Sequence, residues 1–298
     1  MSTGERPPDA HQSIATPARM RQLMARHGFT FKKSLGQNFL VDGNTLDNIV
    51  GAARLTERSG VLEIGPGAGS LTQKLAQAAG KVVAVEIDQR MLPVLADTLA
   101  PFDNVAVVHG DILKIDLDEL WRTHFANCAE VSVVANLPYY ITTPIVLALL
   151  ERRLQLRQMV IMMQKEVAER IVASPGSRDY GSLSIAVQYY CDAHELLRVP
   201  RTVFMPPPNV DSSVIGLVVR SEPPVQVTCE TTFFALVRAS FTQRRKTISN
   251  NLLQFYKNRW NRAQIDAFLE AVAIAPSARA ESLSMNDFAR LSNYLTSI

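Results

Sequence analysis

The sequence has few cysteines and no long apolar run. Its three cysteines, Cys128, Cys191 and Cys229, lie far apart and form no CxxC pair, so neither a disulfide framework nor a zinc site is expected. The amino terminus lacks the apolar core of a signal peptide, and no apolar stretch approaches the length that spans a bilayer. We therefore expect a cytoplasmic protein without a metal site or a membrane segment.

An excess of charge of one sign is also lacking. The 298 residues include 31 Lys and Arg and 28 Asp and Glu, a net charge of +3. This balance is too mild to indicate nucleic-acid binding by itself, so basic residues must be considered as local clusters. The length accommodates one large α/β domain and a small second domain. Nothing in the sequence suggests more than a monomer.

The amino-terminal part of the chain divides into a leader and a helix. Residues 1–15 are polar and aperiodic, and we expect them to form a disordered leader. A short basic helix is expected next, because Thr16 suits its N-cap, Pro17 its first position and Gly28 its C-terminal stop. Basic residues in and after this helix are Arg19, Arg21, Arg26, Lys32 and Lys33.

From Val61 onwards, short apolar runs alternate with longer amphipathic segments. This alternation predicts βαβ units and a mostly parallel sheet. The predicted strands are Val61–Ile64, Val82–Ile87, Val105–Val108, Val131–Ala135 and Met159–Met163. The predicted helices between them are Leu71–Ala79, Gln89–Leu99, Leu117–Phe125 and Pro144–Arg153.

The pattern changes after Gln164, and a linker-like segment at Ser221–Pro224 divides the rest. We therefore predict a first domain over residues 16–221 and a helical second domain over residues 222–298. Before the linker we expect helices at Lys165–Ala173 and Leu183–Tyr190 and strands at Glu195–Val199 and Val214–Arg220. After it we expect helices at Thr231–Tyr256, Arg262–Val272 and Met285–Leu295.

A glycine-rich turn follows the first strand and precedes a helix. Its glycines, Gly65, Gly67 and Gly69, let the backbone turn tightly and approach a ligand closely. Glu86 ends the next strand, where a carboxylate can accept from ribose hydroxyls, and Asp111 follows the third strand, where it can accept from an adenine amino group. Each feature alone is equally compatible with a tight turn or a surface cap. Together, at one sheet edge, they favour a nucleoside-containing cofactor without choosing which one.

The segment Asn136-Leu137-Pro138-Tyr139 follows the fourth strand and is the candidate reaction site. An adenine amino group is a poor nucleophile, because its lone pair is delocalised into the ring. The Asn136 side-chain oxygen and the Leu137 carbonyl can each accept one N–H and direct that lone pair at a methyl group. Pro138 stiffens the turn, and Tyr139 offers a face for base stacking.

The alternative for an isolated Asn-Leu-Pro-Tyr segment is a proline turn with an asparagine cap and a core tyrosine. The position of this segment at a strand end, just past the nucleoside site, favours the reaction site. Phe204, at the start of the stiff segment Phe204–Val210, is a candidate second wall of the base pocket, and a core aromatic is the alternative.

Nine segments, in order along the chain, resemble the bacterial small-subunit ribosomal RNA adenine dimethyltransferases of the KsgA/RsmA family. The resemblance runs from about Thr16 to the carboxyl terminus. The segments are Lys33–Leu40, Glu63–Gly67, Glu86–Asp88, Gly110–Asp111, Asn136–Tyr139, Gln164–Ala168, Tyr180–Leu183, Phe204–Val210 and Arg244–Thr247.

The resemblance implies a class I, Rossmann-like methyltransferase fold with a seven-stranded, mostly parallel sheet and a small all-α domain at the carboxyl terminus. It implies S-adenosylmethionine as cofactor and dimethylation of N6 on two adjacent adenines in the 3′-terminal hairpin loop of 16S rRNA. The substrate it implies is a late pre-30S assembly intermediate. The implied cofactor-binding residues are Gln37, Asn38, Leu40, Gly65, Gly67, Glu86, Asp111 and Asn136.

The same resemblance implies that Arg244, Arg245 and Lys246 bind RNA, and the helical pattern places them within the predicted helix Thr231–Tyr256. Clusters of this kind make phosphate binding salt-dependent. A solvated helix face is the alternative for any one cluster.

Other functions remain as hypotheses. They are a large-subunit adenine methyltransferase, a DNA adenine methyltransferase, a non-catalytic ribosome-assembly factor and an NAD-dependent oxidoreductase. Ser70 stands where a dinucleotide-binding GxGxxG motif needs its third glycine, which disfavours NAD.

Overall fold

The computed structural model describes residues 13–29 and 38–298. Residues 1–12 of the expected leader, and also Lys32, Lys33 and Gln37, lie outside the described residues.

The helices are α1 (Pro17–Arg26), α2 (Gly43–Ala53), α3 (Ser70–Ala78), α4 (Leu92–Thr98), α5 (Leu117–His124), α6 (Thr142–Glu151), α7 (Lys165–Val172), α8 (Ser182–Tyr190), α9 (Glu230–Ser240), α10 (Ile248–Phe255), α11 (Arg262–Glu270) and α12 (Met285–Ser297). The strands are β1 (Phe39–Leu40), β2 (Ser59–Ile64), β3 (Lys81–Glu86), β4 (Val105–His109), β5 (Glu130–Asn136), β6 (Gln158–Gln164), β7 (Cys191–Val199), β8 (Phe204–Met205) and β9 (Ser212–Val219).

Seven strands form one sheet in the order β4-β3-β2-β5-β6-β9-β7. Strands β2 to β6 pair in parallel, whereas β9 runs antiparallel to β6. Every residue of β2 is buried, as expected for a central strand of a parallel sheet that is covered on both faces. The sheet confirms the predicted fold class.

Strand order reverses beside β2, because β3 lies on one side of it and β5 on the other. In open α/β sheets, ligands bind in the crevice outside the carboxyl ends of the strands at such a reversal. The topology therefore locates a binding crevice at the ends of β2, β3 and β5.

Helix α1 has the predicted beginning. It starts at Pro17, and the Thr16 hydroxyl accepts a hydrogen bond from the Arg19 backbone N–H. The three buried side chains of α1, Met20, Leu23 and Met24, pack with α4 residues such as Leu95. Within the described residues, every helix is too short or too polar to cross a membrane.

The chain forms two compact units, and their division differs from the predicted one. The first unit contains residues up to Ala168 and His194–Val219, and the second contains Glu169–Ala193 and Arg220–Ile298. Residues 169–193, predicted in the first domain, belong to the second unit because Ile185 and Tyr189 of α8 share its hydrophobic core. The Tyr189 hydroxyl also donates to Glu230 Oε1 over 2.9 Å.

The predicted single helix Thr231–Tyr256 is wrong, because α9 ends at Ser240 and α10 begins at Ile248. The buried Asn251 side chain donates to the carbonyls of Ser240 (2.6 Å) and Gln243 (3.2 Å), which holds the chain in a turn after α9. Thr247 then caps α10 by accepting from the Asn250 N–H. Arg244, Arg245 and Lys246 therefore lie in a loop and not in a helix.

We predict that Asn251→Ala lowers the free energy of unfolding by about 2 kcal/mol, because it leaves two main-chain carbonyls without their donor. Urea denaturation followed by circular dichroism measures the change. Asn286→Ala, which truncates an exposed asparagine of the same unit, should shift the free energy by less than about 0.5 kcal/mol. Equal stabilities of the two variants would contradict the assigned role of Asn251.

Candidate active site

A cleft opens where the carboxyl ends of β2, β3 and β5 meet, entirely within the first unit. Counted together with the solvent space at its open mouth, its empty volume is about 860 Å³. We call it the sheet-edge cleft. Six predicted cofactor-binding residues line it, namely Asn38, Leu40, Gly65, Gly67, Glu86 and Asn136.

The glycine turn forms the floor of the sheet-edge cleft. Gly65 and Gly67 have positive φ angles of 70° and 57°, a backbone region that favours glycine. A Cβ at Gly67 would also lie only 2.8 Å from Cε1 of Phe39. Both the backbone conformation and the neighbouring ring therefore require glycine at this position.

The Glu86 carboxylate joins the glycine turn to the end of β3. It accepts hydrogen bonds from the backbone N–H groups of Asp88 (2.7 Å) and Gly67 (3.3 Å). Burial raises the pKa of Glu86, while the two hydrogen bonds act in the opposite direction. The carboxylate of Asp88 is held in turn by Arg90, whose Nη2 lies 2.5 Å from Asp88 Oδ2.

Glu63 also lines the sheet-edge cleft, and the sequence analysis assigned it no role. It is fully buried in β2, and its Oε2 atom has no hydrogen-bond partner within the described chain. Burial raises the pKa of Glu63 to about 8; the Thr72 hydroxyl acts in the opposite direction, and the nearby Glu86 carboxylate raises the pKa further. A glutamate inside an otherwise apolar strand was the available signal, since charged residues are almost never fully buried without a partner.

The Asn136–Tyr139 turn forms the wall of the sheet-edge cleft at the end of β5. The Asn136 amide nitrogen donates to the Asn38 carbonyl over 3.4 Å. The Pro138 carbonyl accepts from the Thr142 hydroxyl (3.0 Å) and the Ile141 N–H (3.2 Å). By contrast, no donor among the described residues engages the Leu137 carbonyl, so it is available to a ligand.

Two tyrosines stand next to each other in this wall. The Tyr139 hydroxyl lies 2.5 Å from Ser212 Oγ on β9, and burial raises the pKa of Tyr139. Tyr140 is 58% exposed and also lines the cleft. The sequence analysis considered only Tyr139, although Tyr140 follows it directly in the printed sequence.

Two predicted site residues do not line the sheet-edge cleft. The Asp111 carboxylate caps its own turn by accepting from the Leu113 N–H (3.1 Å), with Lys114 Nζ at 3.6 Å. Phe204 is 4% exposed and packs in the hydrophobic core with Leu40, which agrees with the core alternative; its role as a wall of the base pocket stays a prediction.

The basic residues Arg244, Arg245 and Lys246 are exposed in the loop between α9 and α10. In the described part of the chain, none of them forms an ion pair with a carboxylate. Their charges are therefore available to an anionic partner. Groups of three or more His, Cys, Asp or Glu side chains able to hold a metal are absent from the described residues.

Comparison with known proteins gives concordant results. The family model described as ribosomal RNA adenine dimethylase matches residues 28–297. Two curated relatives, both called ribosomal RNA small subunit methyltransferase A, come from Geobacillus thermodenitrificans (57% identity; 96% of this chain, 98% of the relative) and Anoxybacillus flavithermus (55%; 96% and 97%).

Two solved structures are also similar. A dimethyladenosine transferase from Plasmodium falciparum matches with a TM-score of 0.68 and 30% identity, over 84% of this chain and 94% of that one. The 23S rRNA methyltransferase ErmE matches with a TM-score of 0.63 and 28% identity, over 87% of this chain and all of the other. The family model spans nearly the whole sequence, and the sheet topology and the sheet-edge cleft agree with it. This chain therefore belongs to the ribosomal RNA adenine dimethylase family.

Proposed function

We propose that this protein uses S-adenosylmethionine to dimethylate N6 of two adjacent adenines in the 3′-terminal hairpin loop of small-subunit rRNA. The observation that carries the proposal is the position of Asn136–Tyr139, which opens into the same cleft as the glycine turn. The curated relatives, which are called small subunit methyltransferases, support the choice of subunit. We further propose that the enzyme acts as a cytoplasmic monomer on a pre-30S particle late in assembly.

The sheet-edge cleft has the groups that S-adenosylmethionine needs. Glu86, held by two backbone N–H groups, is placed to accept from ribose hydroxyls. Ile87 is 50% exposed although apolar and lines the cleft, so it offers a surface to an adenine ring. The unpartnered Oε2 of Glu63 suits a cationic group, and S-adenosylmethionine carries both an ammonium and a sulfonium.

The remaining cofactor contacts are assigned from their positions. Asn38, Leu40, Gly65, Gly67 and Asn136 line the cleft. Asp111 is placed near it, because the N–H of Gly110 donates to the Glu86 carbonyl; its carboxylate would have to leave its own turn to reach an adenine amino group. Gln37 remains a prediction.

When bound, S-adenosylmethionine supplies an electrophilic methyl group on a positively charged sulfur. The side-chain oxygen of Asn136 and the carbonyl oxygen of Leu137 accept the two N–H bonds of the target amine and direct its lone pair towards that methyl group. Pro138 holds the turn rigid, and its own carbonyl is engaged by Thr142. The rings of Tyr139 and Tyr140 hold the base by stacking.

Catalysis in this site needs no strong base. The methylated nitrogen is cationic and loses its proton readily to water. Positioning and electrostatic stabilisation therefore provide most of the rate enhancement. In the second transfer the monomethylated amine retains one N–H, so one of these two acceptors still orients its lone pair.

RNA selection requires contacts outside the cleft. We assign phosphate binding to Arg244, Arg245 and Lys246, which are exposed and unpaired with carboxylates in the described chain.

A second candidate substrate is large-subunit rRNA, because the structure resembles the 23S rRNA methyltransferase ErmE. The higher identity to the small-subunit relatives, 57% against 28%, favours the small subunit. The assay below separates the two substrates.

Tritiated S-adenosylmethionine should label unmethylated small subunits and leave purified large subunits unlabelled. Mapping the modified bases should locate the label as dimethyladenosine at two adjacent positions of the 3′-terminal hairpin. Label confined to the large subunit would contradict the proposal.

Asn136→Ala should lower kcat at least about 100-fold, because one of the two acceptors that orient the amine is lost. Binding of the variant to small subunits should stay within about twofold of the wild type, since the RNA-binding loop lies in the second unit. Filter binding and single-turnover methyl transfer measure the two effects. Asn127→Ala, at an exposed asparagine of the first unit, is the control, and full activity of Asn136→Ala would refute the role of Asn136.

Glu63 should make the cofactor-free protein less stable as pH rises. Its pKa of about 8 in the folded state exceeds the ordinary value of 4.5, so the folded state holds a proton that the unfolded state releases. The free energy of unfolding of the wild type, relative to that of Glu63→Gln, should therefore fall by up to roughly 1.4 kcal/mol per pH unit between pH 5 and pH 7. The difference should level off above about pH 8.

Urea denaturation at several pH values measures this difference. Glu57→Gln, which removes an exposed carboxyl from the same unit, should follow the wild type. A Glu63→Gln variant with the pH dependence of the wild type would contradict the assignment. Calorimetry in buffers of different ionisation enthalpy should also detect a proton released from Glu63 when S-adenosylmethionine binds.

A further inference from the structure

The chain from the last residue of α10 to the first residue of α11 combines aromatic and basic residues. The sequence Phe255-Tyr-Lys-Asn-Arg-Trp-Asn-Arg262 contains no Asp or Glu. Among the described residues, neither Lys257 nor Arg259 forms an ion pair with a carboxylate. We call residues 255–260 the aromatic turn.

The ring of Phe255 is 54% exposed, although it is a large apolar side chain. It is the outermost member of a row of rings that leads into the core of the second unit. Phe255 contacts Tyr256 edge-on with centroids 4.9 Å apart, and Tyr256 contacts Trp260 at 5.3 Å. Trp260 continues the row to the buried Phe268 at 5.1 Å. The exposed face of Phe255 is therefore supported from behind by packed rings.

Two cations belong to the same turn. Arg259 lies over the ring of Trp260, 5.5 Å from its centroid, and Lys257 is exposed beside it in the chain. An exposed aromatic face next to unpaired cations is the combination that binds single-stranded nucleic acid, because bases stack on the ring while cations contact the phosphates.

The aromatic turn lies at one end of α10, and Arg244–Lys246 precede the other end. Helix α10 has eight residues and is therefore about 12 Å long. Gln243 Nε2 donates to Gln254 Oε1 over 2.7 Å, so the loop that carries Arg244 is attached to the residue next to Phe255. This hydrogen bond holds the loop that precedes α10 close to the end of α10 that carries the aromatic turn.

We propose that the aromatic turn is a second RNA-binding site, in which Phe255 stacks on an unpaired base and Lys257 and Arg259 bind the adjacent phosphates. Together with Arg244–Lys246 it forms a track for a single-stranded RNA segment along α10. This inference rests on the proposed function, which identifies the natural RNA as rRNA, and it extends that function. It assigns the aromatic turn to recognition of RNA outside the sheet-edge cleft.

Fluorescence anisotropy with a labelled, unstructured RNA of about twelve nucleotides tests the site in the absence of S-adenosylmethionine. Phe255→Ala should weaken binding about tenfold, the effect of one lost base stack. Phe255→Tyr should bind as the wild type does, and Phe255→Leu should bind as weakly as the alanine variant. Ile298→Ala, which truncates another exposed apolar residue of this unit, should have no effect.

Charge is tested separately. Lys257→Gln and Arg259→Gln should each weaken binding and reduce the slope of log K against log salt by about 0.7. The matched control is Arg290→Gln, because Arg290 is already paired with Asp287 at 2.6 Å. Melting temperatures of all variants should match the wild type, since each altered side chain is exposed.

Unchanged RNA affinity in Phe255→Ala would overturn the proposal, and so would an equal loss in Ile298→Ala. Phe255→Ala could also bind small subunits more weakly while its affinity for the RNA probe stays unchanged. That result would assign the turn to a protein partner and would likewise overturn the proposal. Failure of the proposed function looks different. In that case the wild type does not methylate small subunits, while the pattern of the Phe255 variants on the RNA probe persists.

Discussion

The carboxylate of Glu86 is the contact on which the sheet-edge cleft depends. By accepting the N–H groups of Gly67 and Asp88, it ties the glycine turn after β2 to the end of β3. Hydrogen bonds to an ionised acceptor are about twice as strong as neutral ones, so these two bonds offset part of the cost of burying the charge. Together with the hydrogen bond from the Gly65 N–H to the Val85 carbonyl (2.9 Å), they fix the distance between the turn and the neighbouring strand, so that a ligand can span both.

The cleft concentrates groups that oppose stability. Glu63 is buried without a partner for one oxygen, and Gly65 and Gly67 adopt backbone conformations available chiefly to glycine. Strained or unsatisfied groups persist where the surrounding structure holds them, and they cluster at functional sites. Here the fully buried strand β2 supplies that rigid surrounding, and the proposed cationic cofactor would satisfy Glu63.

The two units divide the work of the proposed enzyme. The first unit holds the cleft, whose acceptors would activate an adenine amine in the proposed reaction but carry little information about which RNA contains it. The second unit holds Arg244–Lys246 and the aromatic turn, both exposed and both connected through α10. In the proposed enzyme, the second unit recognises RNA by stacking and phosphate contacts, and the first unit carries out the chemistry. This division would explain why a four-residue catalytic turn suffices for a selective enzyme.

Short-range patterns in the sequence determined the fold class, the cap of α1 at Thr16, the glycine turn and the position of the Asn136–Tyr139 turn after β5, because these depend on residues close in the chain. Tertiary structure decided the rest. It raised the pKa of Glu63 through burial, placed Phe204 in the core, joined residues 169–193 to the second unit and broke the helix at Ser240 through Asn251. These outcomes depend on desolvation and on contacts with residues that a local pattern does not contain, so only the folded chain reveals them.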